Sequence, residues 1–220
     1  MGAVLQDNRA SASPVIYSQE MDHTFSEIRA LINARINASP KRLIEPGPSF
    51  QQLRELLNLA AAAPDHGLLM PWRFVLIPTE YRYLLGEVFF QSLIERDPFA
   101  TIEQTELAKE KAFRSPVLLL AISCLVDAGT GTGTQVSECE QVVSLGAAVQ
   151  NILLGAHSMG FGAGLTSGNA MSSKAMRDLF KLEKNEKAVC FINVGTVKEH
   201  KKSKRIRPTN SSFFSILNAK

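Results

Sequence analysis

Apolar positions along this chain fall into helical, interrupted and continuous patterns, and each pattern predicts an element. Phe25, Ile28, Leu31 and Ile32 recur at helical spacing behind the capping pair Thr24 and Glu27, which places a helix ending near Arg35. Ser49 with Gln52 opens a second helix, apolar at Leu53, Leu56, Leu57 and Ala60 and closed by Pro64. The intervening residues 36–48 hold three prolines and a glycine and read as a loop. PDHGLLMP, residues 64–71, is a tight irregular connection into WRFVLI (72–77), which reads as a strand stopped by Pro78. Residues 80–113 predict two helices divided at Asp97 and Pro98, the first rich in aromatics. PVLLLAIS (116–123) is the unbroken apolar run of a strand covered on both faces, and KAVCFINVG (187–195) is a third strand. Between these two, Ser172 or Ser173 caps a short helix reaching Phe180.

The longest pattern runs from Ser137 to Ser167. Ser137 and Glu140 form a capping box, and from Val142 to Ala156 most positions are apolar or small, Gln150 and Asn151 excepted. A helix apolar all round predicts full burial. Gly146, Ala147 and Ala148 thin one face enough for another backbone to approach. Gly160, Gly162 and Gly164 then read as a glycine-rich turn whose main-chain N–H groups can face a ligand. Residues 1–20 lack periodicity and read as a poorly ordered leader, with 21–220 as a single domain and no internal repeat. Helices with a few scattered strands predict an α+β fold, a three-layer α/β/α domain.

Composition changes this picture in few places. The 220 residues, 45% hydrophobic and 20% charged, suffice for one substantial core. The formal net charge of +3 is unevenly placed, since residues 198–207 (KEHKKSKRIR) carry +5 and leave the remainder near −2. That is a local basic segment and not the footprint of a nucleic-acid binder. Cys124, Cys139 and Cys190 are odd in number and lie far apart in apolar settings, which favours reduced, buried thiols in a cytoplasmic protein. No apolar run approaches the roughly 18 residues of a membrane span. The four histidines, His23, His66, His157 and His200, have no ligand spacing between them, so no protein metal site is expected. G-x-S-x-G and Walker A are absent. Gly129, Gly131 and Gly133 miss the dinucleotide fingerprint at Thr134 and read as a flexible linker.

Several short segments recur together. They are Arg35-Ile36-Asn37-Ala38-Ser39, Ala63-Pro64-Asp65-His66 with Met70-Pro71-Trp72, Gly160-Phe161-Gly162-Ala163-Gly164, and Phe191 to Thr196 followed by the basic run. In this order and spacing the chain, over about residues 24–210, resembles the nitroreductase family of FMN-dependent oxidoreductases, in particular compact bacterial members with A-P-D-H before the strand. The resemblance implies a nitroreductase-like α+β fold with a mainly antiparallel sheet around the long buried helix. It implies a homodimer with FMN at the subunit interface, the apolar SSFFSIL tail (211–217) packing on the partner, and ping-pong transfer from NADH or NADPH to a small electron acceptor such as a nitroaromatic or quinone. It also implies roles: Arg35, Ile36, Asn37 and Ser39 for the flavin's polar edge and tail, His66 at the ring, Gly162, Gly164, Leu165, Thr166 and Ser167 near N5, and Arg205 and Arg207 for the phosphate. Leu68 and Met70 stand where many relatives carry amides.

Independent chemistry agrees. A phosphate of nearly two negative charges asks for arginine forks or helix-end N–H groups, and reduced flavin asks for a cation beside its pyrimidine edge. Hydride transfer at N5 asks for no catalytic acid or base. Each residue also has a plainer account: Arg35 as a helix C-terminal charge, His66 as a loop-bonding group, the glycines as a helix stop, the basic run as a solvated tail. Trp72 reads as core. The alternative functions are a flavin-binding protein with little or no turnover, and a basic-tailed interaction module with no cofactor.

Overall fold

A computed structural model describes residues 14–126, 136–199 and 206–217. The first helix, α1, spans Pro14–Ala34 and so begins well before Thr24. Proline is preorganised for the first helical turn, and Thr24 and Glu27 lie inside the helix, where Glu27 meets His23 at 3.6 Å. Residues 36–48, expected to be loop throughout, contain a 3₁₀ turn at Pro40–Arg42 and a two-residue strand, β1, at Leu43–Ile44. Helix α2 is Phe50–Ala61, with the Ser49–Gln52 box closed in both directions at 2.9 and 3.2 Å. Strand β2 is Trp72–Leu76, followed by α3 (Arg82–Arg96), α4 (Ile102–Glu110), β3 (Val117–Cys124) and the long helix α5 (Glu138–Ser158). Then come β4 (Gly162–Thr166), α6 (Lys174–Leu179), capped by Ser173, and β5 (Glu186–Val197).

The sheet is antiparallel in every strand pair, ordered β1-β5-β3-β2 with β4 also on β5. Its centre is β3, whose side chains alternate between two cores. Leu119 and Ala121 pack with Leu56 of α2 and Leu145, Ile152 and Ala156 of α5. Leu118, Leu120 and Ile122 pack on the other face with Leu85 and Val88 of α3 and Met176 of α6. The unbroken apolar run thus serves two helical layers, as the sequence predicts, and each fully buried Leu or Ile contributes roughly 1.5–3 kcal/mol.

Helix α5 departs from the sequence reading in one respect. Its inner face is buried from Gln141 to Ala156, but Val142 and Val143 on the outer side are open to solvent, Val143 to 66%. An apolar composition on every side therefore does not bring full burial within one chain. Gln141 bridges residues that flank 127–135: its amide donates to Val126 O (3.0 Å) and Val136 O (3.2 Å), and its carbonyl accepts from Val126 N–H (2.9 Å). The helix ends in a Schellman motif, with Phe161 N–H on Ala156 O (2.9 Å), Gly160 N–H on His157 O (3.0 Å) and Gly160 at φ +86°.

At one end of the sheet Arg73 grips Glu186 with two bonds of 2.6 and 2.8 Å. The Arg73 guanidinium holds the Glu186 carboxyl down at about 2. The Cys124 thiol, 3.4 Å from Glu186 Oε1, is pushed up to about 11 by burial and then by that carboxylate. Cys190 is buried and likewise raised to about 11, but Cys139 is exposed, so the three cysteines are not all core thiols. Among the described residues no helix is long and apolar enough to cross a membrane. Residues 1–13 of the expected leader (1–20), the Gly129–Thr134 linker and most of the basic run (200–205) lie outside the described residues, and residues 14–20 of that leader belong to α1.

Candidate functional site

The segment Gly162–Gly164, expected to be a turn, is strand: Gly162 pairs with Gly195, Ala163 with Val194 and Gly164 with Asn193. The turn is Gly160 alone. The later glycines answer a different demand, because residues 37–39 run directly against β4. Ala38 N–H donates to Ala163 O (2.9 Å), Leu165 N–H donates to Asn37 Oδ1 (3.2 Å), and Asn37 forms a parallel bridge with Ala163. A Cβ on Gly164 would sit 2.1 Å from Ala38 O. The bare backbone admits a neighbouring chain segment here, and this joins two of the predicted site segments, 35–39 and 162–167.

Arg207 joins them as well. Its guanidinium donates to Asn33 O at 2.8 Å, at the C-terminal end of α1 and two residues before the half-buried Arg35. Arg205 lies outside the described residues. Ile36, Asn37 and Ser39 are exposed along the same edge, and Ser39 sits at the N-cap of the Pro40–Arg42 turn without using its side chain there.

Beyond Thr166 the chain borders a cavity of about 350 Å³ on the face away from α5. Its floor is Leu118 and Phe191, with Phe89 from α3 above. Asn193, 2% exposed, fixes the wall: its amide donates to Thr166 Oγ1 (3.0 Å) and Gly164 O (3.3 Å), and its carbonyl accepts from the Ser115 hydroxyl (3.0 Å). Thr166, Ser167 and Pro40 complete that side. Across from them Arg96, Lys111 and Arg114 line the cavity, and among the described residues no carboxylate pairs with any of them. An apolar floor bordered by three unneutralised cations suits an anionic ligand with an apolar body. Sequence reasoning missed these cations and Asn193. Lys111 and Arg114 offered a faint signal, two basic residues just ahead of an apolar strand, but only tertiary packing brings Arg96 to them.

His66 does not join this group. It belongs to the loop before β2, and its Nδ1 lies 3.1 Å from Glu140 Oε1 at the opposite end of α5. From Asn37 through β4, β5 and β3 to β2 is four inter-strand steps, about 19 Å at ~4.8 Å each. Lys187, level with Trp72 across β3, is seven residues along β5 from Val194, about 24 Å more. The expected convergence of His66 with Arg35 and Gly162–Gly164 therefore fails within one chain. The Glu140 carboxyl is held below its usual range by the Ser137 N–H and hydroxyl, and then by His66.

The Nitroreductase family model matches residues 44–196 of the chain. The chain is 31% identical over 169 residues to the Escherichia coli (strain K12) protein named "Putative NAD(P)H nitroreductase YdjA", covering 77% of this chain and 87% of that one. It is 26% identical over 195 residues to the Bacillus subtilis (strain 168) protein YfhC, which carries the same description, covering 88% of this chain and 96% of that one. Among solved structures it is similar to a nitroreductase-like family protein from Bacillus cereus, with a TM-score of 0.73 at 19% identity over 87% of this chain and 96% of that one. It also resembles a mutant of the FMN and NADPH-dependent nitroreductase NfnB from Sphigopyxis sp. strain HMH, with a TM-score of 0.65 at 13% identity over 85% of this chain and 97% of that one.

Proposed function

Because the chain belongs to the nitroreductase family of oxidoreductases, we propose that it is an FMN-dependent enzyme that passes electrons from NADH or NADPH to a small acceptor, a nitroaromatic or a quinone. The observation that carries this reading is the meeting of residues 35–39, β4 and Arg207 beside a cavity with an apolar floor and three unpaired cations. The donor set fits the cofactor. Arg35 and Arg207, together at the end of α1, supply the positive charge a phosphate needs. Lys111 and Arg114 supply the cation wanted beside a pyrimidine edge that gains negative charge. Leu118 and Phe191 give the ring apolar contact, and Leu165 to Ser167 offer it main-chain groups. FMN, when bound, would supply the two-electron redox chemistry that links the nicotinamide to the acceptor. The protein's part is to bind, orient and exclude water.

The same reading makes the protein a homodimer in the cytoplasm with a site at each subunit boundary. Met21, Phe25, Ile28 and Ile32 on α1, Val142 and Val143 on α5, and Phe213, Phe214, Ile216 and Leu217 in the tail are all exposed. That is more apolar surface than a monomer commonly leaves in water. A second copy accounts for it, takes up the tail and brings the His66 loop to a cavity it cannot reach in its own chain. Residues 21–220 then form one domain completed by its partner. Purified protein tests this directly: it should be yellow, release FMN on denaturation, bleach under NADH or NADPH and recover colour with a quinone. A yellow protein that neither nucleotide bleaches would leave a flavin binder without turnover, and a colourless one that takes up no FMN would refute the reading.

A further inference from the structure

Gly164 and Thr166 of β4 lie opposite Asn193 and Phe191 of β5. Side chains two residues apart share one face of a strand, so Thr166, Asn193 and Phe191 all stand on the cavity side of the sheet. Residue 164 carries no side chain, which leaves the place across from Asn193 open and lets its amide lean over to Thr166.

The orientation of that amide follows from its neighbours. Gly164 O can only accept a hydrogen bond and lies 3.3 Å away, so the edge of Asn193 that faces it is the NH2 edge. The carbonyl edge is then turned to the Ser115 hydroxyl at 3.0 Å. The reverse orientation would set two acceptors against each other in a buried place. A second amide proton goes to Thr166 Oγ1 at 3.0 Å. Thr166 is therefore an acceptor toward the protein, and its own O–H must be donated elsewhere. Among the described residues no protein group takes it. The charged groups of the cavity, Arg96, Lys111 and Arg114, also only donate, and no carboxylate lines it.

We propose that Asn193 is a positioning residue that locks the Thr166 hydroxyl as a hydrogen-bond donor into the cavity, and that this donor favours the reduced flavin over the oxidised one. This rests on the flavin reading above. A hydrogen bond to an oxygen that shares a negative charge is roughly twice as strong as one to the same oxygen uncharged. A donor already fixed in direction gains that difference without first reorienting. Without the amide, the hydroxyl would be free to turn its proton back toward the backbone.

The test reads a potential and not turnover. Anaerobic titration of the flavin-loaded protein against a reference dye gives the ratio of its affinities for reduced and oxidised FMN. Thr166→Val keeps the branched shape and removes the proton. It should lower that ratio about tenfold, which is about 30 mV for a two-electron couple, and Thr166→Ser should bring it back to within twofold of wild type. Asn193→Leu should lower the ratio too and add nothing in combination with Thr166→Val, because Asn193 acts through Thr166. Ser115 keeps Val117 O as an acceptor at 3.2 Å, so this replacement strands no hydroxyl there. A merely structural role would move the thermal midpoint and the flavin content and leave the ratio within twofold of wild type. That result overturns the proposal, as does a ratio that rises in Thr166→Val or a Thr166→Ser no better than Thr166→Val. The two Thr166 variants decide it even where Asn193→Leu does not fold. Wild-type protein that takes up no FMN would sink the flavin reading as well, and its lack of colour shows this before any titration.

Discussion

Gly164→Ala tests how the fold and the site are joined. The added methyl would stand 2.1 Å from Ala38 O and 3.1 Å from Asn37 Oδ1. Ordinary carbon–oxygen contact needs more than 3 Å, so residues 37–38 must retreat by roughly an ångström, with no flexible side-chain end to yield instead. Two hydrogen bonds hold those residues to β4, at 2.9 and 3.2 Å. A retreat of that size breaks both. At about 1 kcal/mol net for each, with residual crowding added, the variant should lose about 2–3 kcal/mol. In a chain of this length that is a fall of roughly 5–10 °C in the thermal midpoint. The damage should also be local to the site, because Asn37 and Arg35 move with Ala38. Calorimetry and the flavin-to-protein absorbance ratio on the same sample measure both effects. A variant with the wild-type midpoint and flavin content would show that β4 does not need its glycine and that the 35–39 segment is not held as described.

Further outcomes follow from other features. The Glu186 carboxyl, held at about 2 by Arg73 against an ordinary value of 4.5, gives stability that is complete above about pH 4.5. It is lost as pH falls toward 2, since the unfolded chain takes up the proton first. With the outer part of Arg73 in solvent the contribution is about 2 kcal/mol, and in Glu186→Gln a plot of stability against pH should flatten over that window. Val143→Glu places a charge on the exposed apolar side of α5; sedimentation at micromolar concentration should show the proposed dimer in the wild type and a shift to monomer in the variant, and an unchanged dimer would remove that face from the interface. Arg35→Ala should weaken FMN retention by about tenfold or more, read as flavin lost on gel filtration, and full retention would strike Arg35 from the site.

Much of the architecture was legible because local signals and tertiary demands coincide. PVLLLAIS is apolar throughout because β3 feeds two cores, and capping boxes marked the starts of α2 and α5 in the residues themselves. Where the reading failed, the deciding contact came from far away in sequence. Gly162 and Gly164 looked like a turn because their reason, the approach of Ala38, lies more than a hundred residues upstream. Thr24 and Glu27 mimic a cap within a helix that had already begun. The candidate site divides in the same way. Arg35, Asn37 and Arg207 were found as members of short segments. Arg96, Lys111 and Arg114 form a group only once α3, α4 and β3 are packed. His66 sits where the sequence put it, but the topology sends it to the far edge of the sheet.

The amide of Gln141 carries a consequence for engineering. By holding Val126 and Val136 to one side chain, it ties the segment after β3 to the segment before α5. Gln141→Leu keeps most of the bulk and removes all three of those hydrogen bonds, so one substitution there loosens both segments at once.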